Sequence, residues 1–149
     1  MIRQAIASDE QEIQECAELA YARYVPLIGR KPAPMIADFA VQIRAGQVYV
    51  STNSEGDFQG FIVFYAENEH VLLENVAVLP SAAGCGVGKS LIDFCENKAR
   101  ASGKRAVHLY TNEKMTENLM IYPKLGYVEV DRRTEGGFNR VYFEKTLIG

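Results

Sequence analysis

Seven short stretches of this chain carry the alternating or continuous apolar pattern that is typical of β-strands. In one of them, residues 70–78, the apolar run is interrupted only near its centre, by Glu74 and Asn75. Turn residues such as glycine, asparagine and proline separate the stretches. The predicted strands are residues 2–6, 47–52, 58–66, 70–78, 106–111, 127–133 and 138–147.

Four other stretches repeat their apolar residues every three to four positions, which indicates helices with one buried face. The first begins near Ser8 and is expected to end at Pro26, because the residue before a proline disfavours the helical conformation. The second is expected to begin at Pro34 and to stop at Gly46. The third follows a glycine-rich loop and the fourth covers residues 116–125, so the order of elements is βααβββαβαββ.

This order predicts an α/β fold of the α+β kind with a mixed sheet. Three successive strands joined by short turns are expected to pair antiparallel, as is the final hairpin. A strand, a crossover helix and a further strand imply one right-handed parallel connection between them. With 149 residues, 48% of them apolar, the chain is predicted to be a single domain over residues 1–149.

The loop after the strand at residues 70–78 is the strongest candidate for a binding site. It reads Gly84-Cys85-Gly86-Val87-Gly88-Lys89-Ser90 and opens into a helix whose apolar face includes Val87, Leu91, Phe94 and Cys95. Glycines let a backbone approach a ligand closely, and the start of a helix offers unpaired amides and a partial positive charge. The sequence therefore predicts a site for a phosphate or pyrophosphate.

Three kinds of glycine loop could explain this pattern. The dinucleotide fingerprint requires a third glycine where Lys89 stands, so it does not match. The P-loop pattern is a near miss, since Gly88-Lys89-Ser90 fits its end but Ala83 replaces its first glycine. Val76-Ala77-Val78-x-Pro80, followed by residues 83–88, is similar to the acetyl-coenzyme A loop of the GNAT family of N-acetyltransferases.

The resemblance to this family extends over nearly the whole order of elements and implies a sheet with helices on both faces. It implies that acetyl-coenzyme A (acetyl-CoA) binds as co-substrate, without a metal. Backbone groups of Val76, Ala77 and Val78 would hold the pantetheine, and the loop would hold the pyrophosphate. The loop residues concerned are Ala83, Gly84, Cys85, Gly86, Val87, Gly88, Lys89 and Ser90. Ala83 departs from the Gln or Arg of the family, which removes a side-chain contact but leaves the backbone amides.

A second motif, Tyr122-Pro123-Lys124-Leu125-Gly126-Tyr127, resembles the Tyr-x-Lys-x-Gly-Phe/Tyr signature of the same family. The resemblance implies that Tyr122 protonates the departing coenzyme A thiolate; the alternative is a tyrosine that only packs in the core. Asn118 stands one helical turn earlier and could reach the pantetheine. Pro123 is a departure from the family, and we expect the helix to end or bend there.

Glu74 is the best candidate for the base that deprotonates the acceptor amine. It projects from the strand that leads to the glycine loop, and burying a carboxylate among apolar residues is costly without a use or a partner. Members of the family often carry a Glu or His on this strand. The alternative is a structural Glu paired with a lysine or arginine.

Charge and composition limit the other possibilities. A net charge of −3 argues against nucleic-acid binding, and no membrane segment or signal peptide is apparent, so a cytoplasmic location is expected. The cysteines Cys16, Cys85 and Cys95 are scattered and suggest neither a disulfide framework nor a metal site. Cys85 could serve as an acyl carrier, although an inert small residue is favoured.

These observations predict a direct transfer of an acetyl group from acetyl-CoA to a primary amine of a small molecule, amino acid or peptide. In this family the acceptor lies between the loop that joins the first two helices and the final hairpin. Those segments hold cations that could bind an acceptor carboxylate, chiefly Arg30 and Arg140, with Lys31, Arg132 and Arg133 nearby. The favoured alternative is that these are scattered surface cations. The alternatives are a P-loop nucleotide hydrolase and a non-catalytic acyl-CoA sensor. A homodimer through the edge of the final hairpin is possible.

Overall fold

The computed structural model describes residues 1–147, so residues 148 and 149 of the predicted domain lie outside it. Its strands and helices follow the predicted order, with one additional short helix, Val25–Ile28, between the first two strands. They are β1 (Ile2–Gln4), α1 (Glu10–Tyr21), α2 (Val25–Ile28), α3 (Phe39–Arg44), β2 (Val48–Thr52), β3 (Phe58–Glu67), β4 (His70–Val78), α4 (Val87–Ala101), β5 (Ala106–Asn112), α5 (Thr116–Lys124), β6 (Val128–Glu135) and β7 (Phe138–Thr146).

Seven strands form a sheet in the order β1-β2-β3-β4-β5-β7-β6. The β4–β5 pair is parallel, whereas the β1–β2, β2–β3, β5–β7 and β6–β7 pairs are antiparallel. The parallel pair is the one that the crossover through α4 requires. The predicted mixed, mostly antiparallel sheet is therefore confirmed.

Residues 1–64 and 74–95 form one compact unit. On one face of its strands, Phe39 of α3 packs edge-on against Phe61 of β3, with ring centroids 5.4 Å apart. Phe64 points to the opposite face, where Phe94 of α4 lies 6.2 Å from it and 4.9 Å from Tyr49. Helices thus cover both faces, as predicted, because buried rings alternate along β3.

Residues 65–73 and those from residue 96 onward form the second unit. Here β5 lies between the start of β4 and β7, and its buried Val107 and Leu109 share a core with Phe143 of β7. Gly136 and Gly137, with φ of +58° and +81°, form the two-residue turn between β6 and β7. Positive φ at both positions suits the turn type that matches the twist of a hairpin.

Two predicted helix boundaries were wrong, and proline explains both. The chain stays helical through Pro26, which lies in the first turn of α2, where its missing N–H costs nothing. Pro34 lies instead in a short 3₁₀ turn, Ala33–Met35. Helix α3 begins only after Asp38, whose carboxylate accepts a hydrogen bond of 3.2 Å from Val41 N.

A buried carboxylate, Glu96 of α4, holds the second unit together. Its side chain is only 4% exposed, and it accepts hydrogen bonds of 2.9 Å from the Tyr127 hydroxyl and from Lys145 Nζ. Removing one partner of a buried ion pair leaves a charge without compensation. Lys145 is therefore expected to stabilise the fold more than a surface lysine does.

We expect Lys145→Met to lower the free energy of unfolding by about 3 kcal/mol, because the buried Glu96 carboxylate would keep only a 3.9 Å ion pair, with the half-exposed Arg100. The control is Lys31→Met, which removes a 3.9 Å pair with Glu18 whose two side chains are half exposed. That change should cost less than about 0.5 kcal/mol. Urea unfolding monitored by circular dichroism measures both, and equal losses would contradict the prediction.

Candidate functional site

The glycine loop turns the chain sharply between β4 and α4. A 3₁₀ turn, Pro80–Ala82, follows the strand, and Ala83 is extended. Gly84 and Gly86 both have φ of +79°, and a Cβ placed on either one would have no atom within 4 Å. Glycine is thus required there by the left-handed backbone, and the space beside the loop is open.

The loop presents the start of a 15-residue helix to this open space. Ser90 N donates to Gly86 O at 3.0 Å, and the amides that precede it in the first turn have no acceptor within the helix. Together with the helix dipole, such amides form a site for an anion. This is where the phosphate is predicted to bind.

The side chains of the loop have separate environments. Val87 is buried in the core, and Lys89 forms a 3.0 Å ion pair with Asp93. Cys85 is exposed, and its Sγ lies 3.9 Å from Ala83 O. An open depression of about 480 Å³ lies against the loop; its lining residues are Met1, Ile2, Ser51, Gln59, Cys85, Val87, Ser90 and Phe94.

The end of β4 is held closely by β3. A Cβ on Gly60 would lie 2.6 Å from Ala77 O and 3.2 Å from Val78 Cα, so no side chain fits there. Leu79 N donates to Gln59 O at 2.9 Å, one residue before this contact on β3. The backbone of residues 76–78, predicted to hold the pantetheine, is therefore firmly positioned.

Asn75 joins three segments of the first unit. Its side chain is buried, with Oδ1 2.7 Å from the Tyr21 hydroxyl of α1 and Nδ2 donating to Pro34 O at 2.9 Å. The Tyr21 hydroxyl also lies 3.0 Å from Val76 O. Sequence reasoning missed this arrangement, although an asparagine within an apolar strand is itself a sign of buried hydrogen bonds.

Glu74 is half-buried and accepts a hydrogen bond of 2.7 Å from Gln42 Nε2 of α3. The sequence suggested either a catalytic base or a Glu paired with a cation, and this contact comes from an uncharged amide. Nothing in the local sequence around Gln42 pointed to it, because the two residues are 32 positions apart.

In the second unit, Tyr122 is 7% exposed, and its ring packs against Tyr127 and Phe143 with centroids 5.7 and 5.9 Å away. Burial raises the pKa of its phenol to about 12, so the hydroxyl is protonated at neutral pH. Helix α5 ends at Lys124, two residues after Tyr122, with Pro123 in its last turn. The expected end of the helix near Pro123 agrees with this arrangement.

The other predicted site residues are divided between the two units. In the second unit, Asn118 Nδ2 donates to Thr111 Oγ1 at 3.1 Å, and the Arg140 guanidinium lies 4.5 Å from the Tyr110 ring centroid. Arg30 is exposed in the first unit, directly after α2. The neighbouring cations form ion pairs, Lys31 with Glu18, Arg132 with Glu129 and Arg133 with Asp131.

Comparison with known proteins identifies the class to which this fold and loop belong. Residues 13–127 match the Acetyltransferase (GNAT) family. Because the match covers more than half of the chain, the chain belongs to this family of acetyltransferases. The resemblance inferred from the glycine loop and the Tyr122 motif is thereby confirmed.

A curated relative is the [ribosomal protein bS18]-alanine N-acetyltransferase of Haemophilus influenzae, 31% identical over 74 residues. The matched region is 50% of this chain, and it spans only about half of the relative's length (50%).

Two solved structures share the fold. The PaiA N-acetyltransferase of Thermoplasma acidophilum, in complex with coenzyme A, is 16% identical with a TM-score of 0.79, covering 98% of both chains. The ribosomal-protein-S18-alanine N-acetyltransferase of Escherichia coli is 16% identical with a TM-score of 0.76, covering 99% of this chain and 93% of the other.

The described part of the chain, residues 1–147, contains neither a candidate metal site nor a candidate membrane span. No group of three or more His, Cys, Asp or Glu side chains there is arranged to hold a metal ion. None of its helices combines the length and the apolar character needed to cross a bilayer.

The raised pKa of Tyr122 predicts how stability depends on alkaline pH. The folded state keeps this proton above pH 10, where an unfolded tyrosine loses it, so the stabilisation is present below pH 10 and is lost as the pH rises toward 12. By about pH 11.5 the wild type should lose roughly 2 kcal/mol that Tyr122→Phe does not lose.

Urea unfolding of both proteins between about pH 8 and 11.5 measures this difference. Burial also raises the pKa of the Cys16 thiol to about 12, but Cys16 contributes equally to both proteins. Parallel stability curves would show that the Tyr122 phenol ionises normally in the fold.

Proposed function

We propose that this chain is an acetyl-CoA-dependent N-acetyltransferase that acts on a primary amine of a small molecule, amino acid or peptide. The observation that carries the proposal is the loop between β4 and α4, where two left-handed glycines leave open space at a helix start. Membership in the acetyltransferase family and the coenzyme A bound to the Thermoplasma acidophilum structure support it.

The residues present fit this ligand. Amides of residues 83–90 would bind the pyrophosphate, while backbone groups of Val76, Ala77 and Val78 would pair with the pantetheine amides as an added strand does. Asn118 is a further candidate for the pantetheine. Ala83 offers no polar side chain, so the phosphate contact in this protein would depend on the backbone.

Bound acetyl-CoA supplies an acyl group activated as a thioester. The chain supplies two proton transfers: Glu74 takes a proton from the amine nitrogen, directly or through water, and Tyr122 gives its phenolic proton to the departing sulfur. The Tyr122 phenol carries its proton at neutral pH, as this role requires, and its raised pKa makes it a weaker donor than an ordinary tyrosine.

Direct attack is favoured over an acyl-cysteine route through Cys85. The Cys85 Sγ lies 3.9 Å from Ala83 O, and neither histidine of the chain stands near Cys85 in sequence to take its proton. For the acceptor, the curated relative's action on a protein alanine supports a peptide amine. Arg30 and Arg140 are proposed to contact an acceptor carboxylate, and Arg140 is held by stacking on Tyr110 and by Glu135 at 3.7 Å.

The first test is binding. A ligand at a hundred times its Kd stabilises the folded state by about 2.7 kcal/mol, so thermal unfolding with acetyl-CoA, coenzyme A and Mg·ATP compares the alternatives in one preparation. Gly86→Asp should abolish the acetyl-CoA effect, since it places a negative charge at the phosphate site. Stabilisation by Mg·ATP alone would contradict the proposal and support the alternative of a P-loop nucleotide hydrolase.

A matched control for this substitution is Gly56→Asp. Gly56 also has a positive φ, +85°, and open space around its Cα, but it lies in the β2–β3 turn. Both substitutions place an L-residue at a positive φ and should lower stability by similar amounts. A difference in acetyl-CoA affinity would therefore indicate that the ligand binds at the loop. Equal affinity in both would place the ligand elsewhere.

The second test is turnover, with a peptide that begins with alanine, a mixture of free amino acids and spermidine as acceptors. Release of coenzyme A is followed with a thiol reagent. Tyr122→Phe should lower kcat by roughly 100-fold at unchanged acetyl-CoA affinity, and Glu74→Gln by roughly 10-fold or more. Full activity of either variant would show that the substituted residue has no catalytic role. Acetyl-CoA binding without turnover of any acceptor would favour the non-catalytic acyl-CoA sensor.

A further inference from the structure

We propose that Gln42 is a positioning residue that holds the Glu74 carboxylate in its working orientation. This inference rests on the proposed function, in which Glu74 takes the proton of the acceptor amine. The contact that carries it is the 2.7 Å hydrogen bond from Gln42 Nε2 to Glu74 Oε2. Hydrogen bonds to an ionised group are shorter and stronger than neutral ones, so this bond restrains the carboxylate.

The other end of the same amide has a cost in stability. Within residues 1–147, Gln42 Oε1 is the one buried side-chain nitrogen or oxygen atom that has no hydrogen-bond partner. A buried acceptor without a donor costs free energy, and an apolar side chain of similar size would avoid that cost. What the amide contributes at this position is therefore its donor, Nε2.

The charge of Glu74 fixes which way the amide points. Exchanging Nε2 and Oε1 would put an oxygen acceptor against the carboxylate, and two acceptors repel each other. In the observed arrangement Glu74 accepts a hydrogen bond, while Gln42 Oε1 is buried without a donor. The Gln42 amide thus donates to the carboxylate at the expense of its own hydrogen bonding, as expected of a residue that positions a functional group.

Helix α3 gives Gln42 a rigid base. Phe39 and Ile43 on either side of it are buried, and Phe39 packs against Phe61. Asp38 caps the start of the helix through Val41 N, and Gln47 N donates to Gln42 O at 3.1 Å where the helix ends. The backbone of Gln42 is therefore already fixed, so holding Glu74 in place costs only the entropy of the Gln42 side chain.

A double-mutant cycle tests the inference, using Gln42→Met in the wild type and in Glu74→Gln. Methionine keeps the length of the side chain but has no donor. We expect Gln42→Met to lower kcat roughly tenfold in the wild type and to have no further effect in Glu74→Gln, because the two residues act as one unit. Turnover is measured on whichever of the three acceptors the wild type acetylates.

The matched control is Gln11→Met, which removes a Gln-to-Glu hydrogen bond of 3.2 Å on the exposed face of α1. It should leave kcat unchanged. Thermal unfolding of every variant provides the readout that does not depend on activity. Gln42→Met should keep its Tm within a few degrees of the wild type, since losing one hydrogen bond is offset by removing the unpaired oxygen.

The outcomes separate this inference from the proposed function. Equal losses of kcat in both backgrounds, or a Tm lowered well below that of Gln11→Met, would show a general structural role and overturn the inference. A normal kcat for Gln42→Met beside an impaired Glu74→Gln would overturn it and leave the proposed base intact. Full activity of Glu74→Gln would overturn the base and the inference together.

Discussion

The turn from β4 into α4 depends on two residues that can take a positive φ. An ordinary L-residue in the left-handed region costs roughly 1–3 kcal/mol, and Gly84 and Gly86 avoid this cost twice within three positions. Because their surroundings are open, the requirement comes from the backbone and not from packing. The direction of α4 follows from this turn, and with it the burial of Val87 and Leu91 and the orientation of the amides at its start.

Local patterns were sufficient to predict most of the fold. The bounds of β4 are as predicted, because an apolar run between two turns specifies a strand from nearby residues alone. The errors at Pro26 and Pro34 have a different origin. Proline restricts a helix only when it lies beyond the first turn, and whether a new turn starts there depends on tertiary contacts such as those of the buried Met35 and Tyr24.

The candidate site was only partly predictable for a related reason. The glycine loop and the Tyr122 motif are contiguous in sequence, so their residue types could be read directly. Gln42, Tyr21 and Asn75 became visible only in the fold, since each makes its contact with a residue 32 or more positions away. An asparagine within an apolar strand, such as Asn75, indicates buried hydrogen bonds, but the sequence does not identify the distant residues that make them.

The carboxylates of Glu96 and Glu74 differ in burial and in the hydrogen-bond donors around them. Glu96 has a lysine and a tyrosine as hydrogen-bond partners, so its charge is compensated and the carboxylate is a structural element. Glu74 is half-buried and accepts a hydrogen bond from the Gln42 amide, whose own oxygen is buried without a donor. In the proposed function Glu74 exchanges a proton, and the hydrogen bond from Gln42 restrains its carboxylate without adding a charge.

The contacts of Asn75 also have a consequence for the order in which the protein assembles. The bond from Tyr21 to Asn75 joins residues 54 positions apart, and that from Asn75 to Pro34 joins residues 41 apart. Long loops are closed at an entropic cost that must be met before such contacts add stability. The turn from β4 into α4 spans only residues 79–86, so the proposed anion site is expected to form early, whereas the junction of α1, β4 and the loop before α3 is expected to complete late in folding.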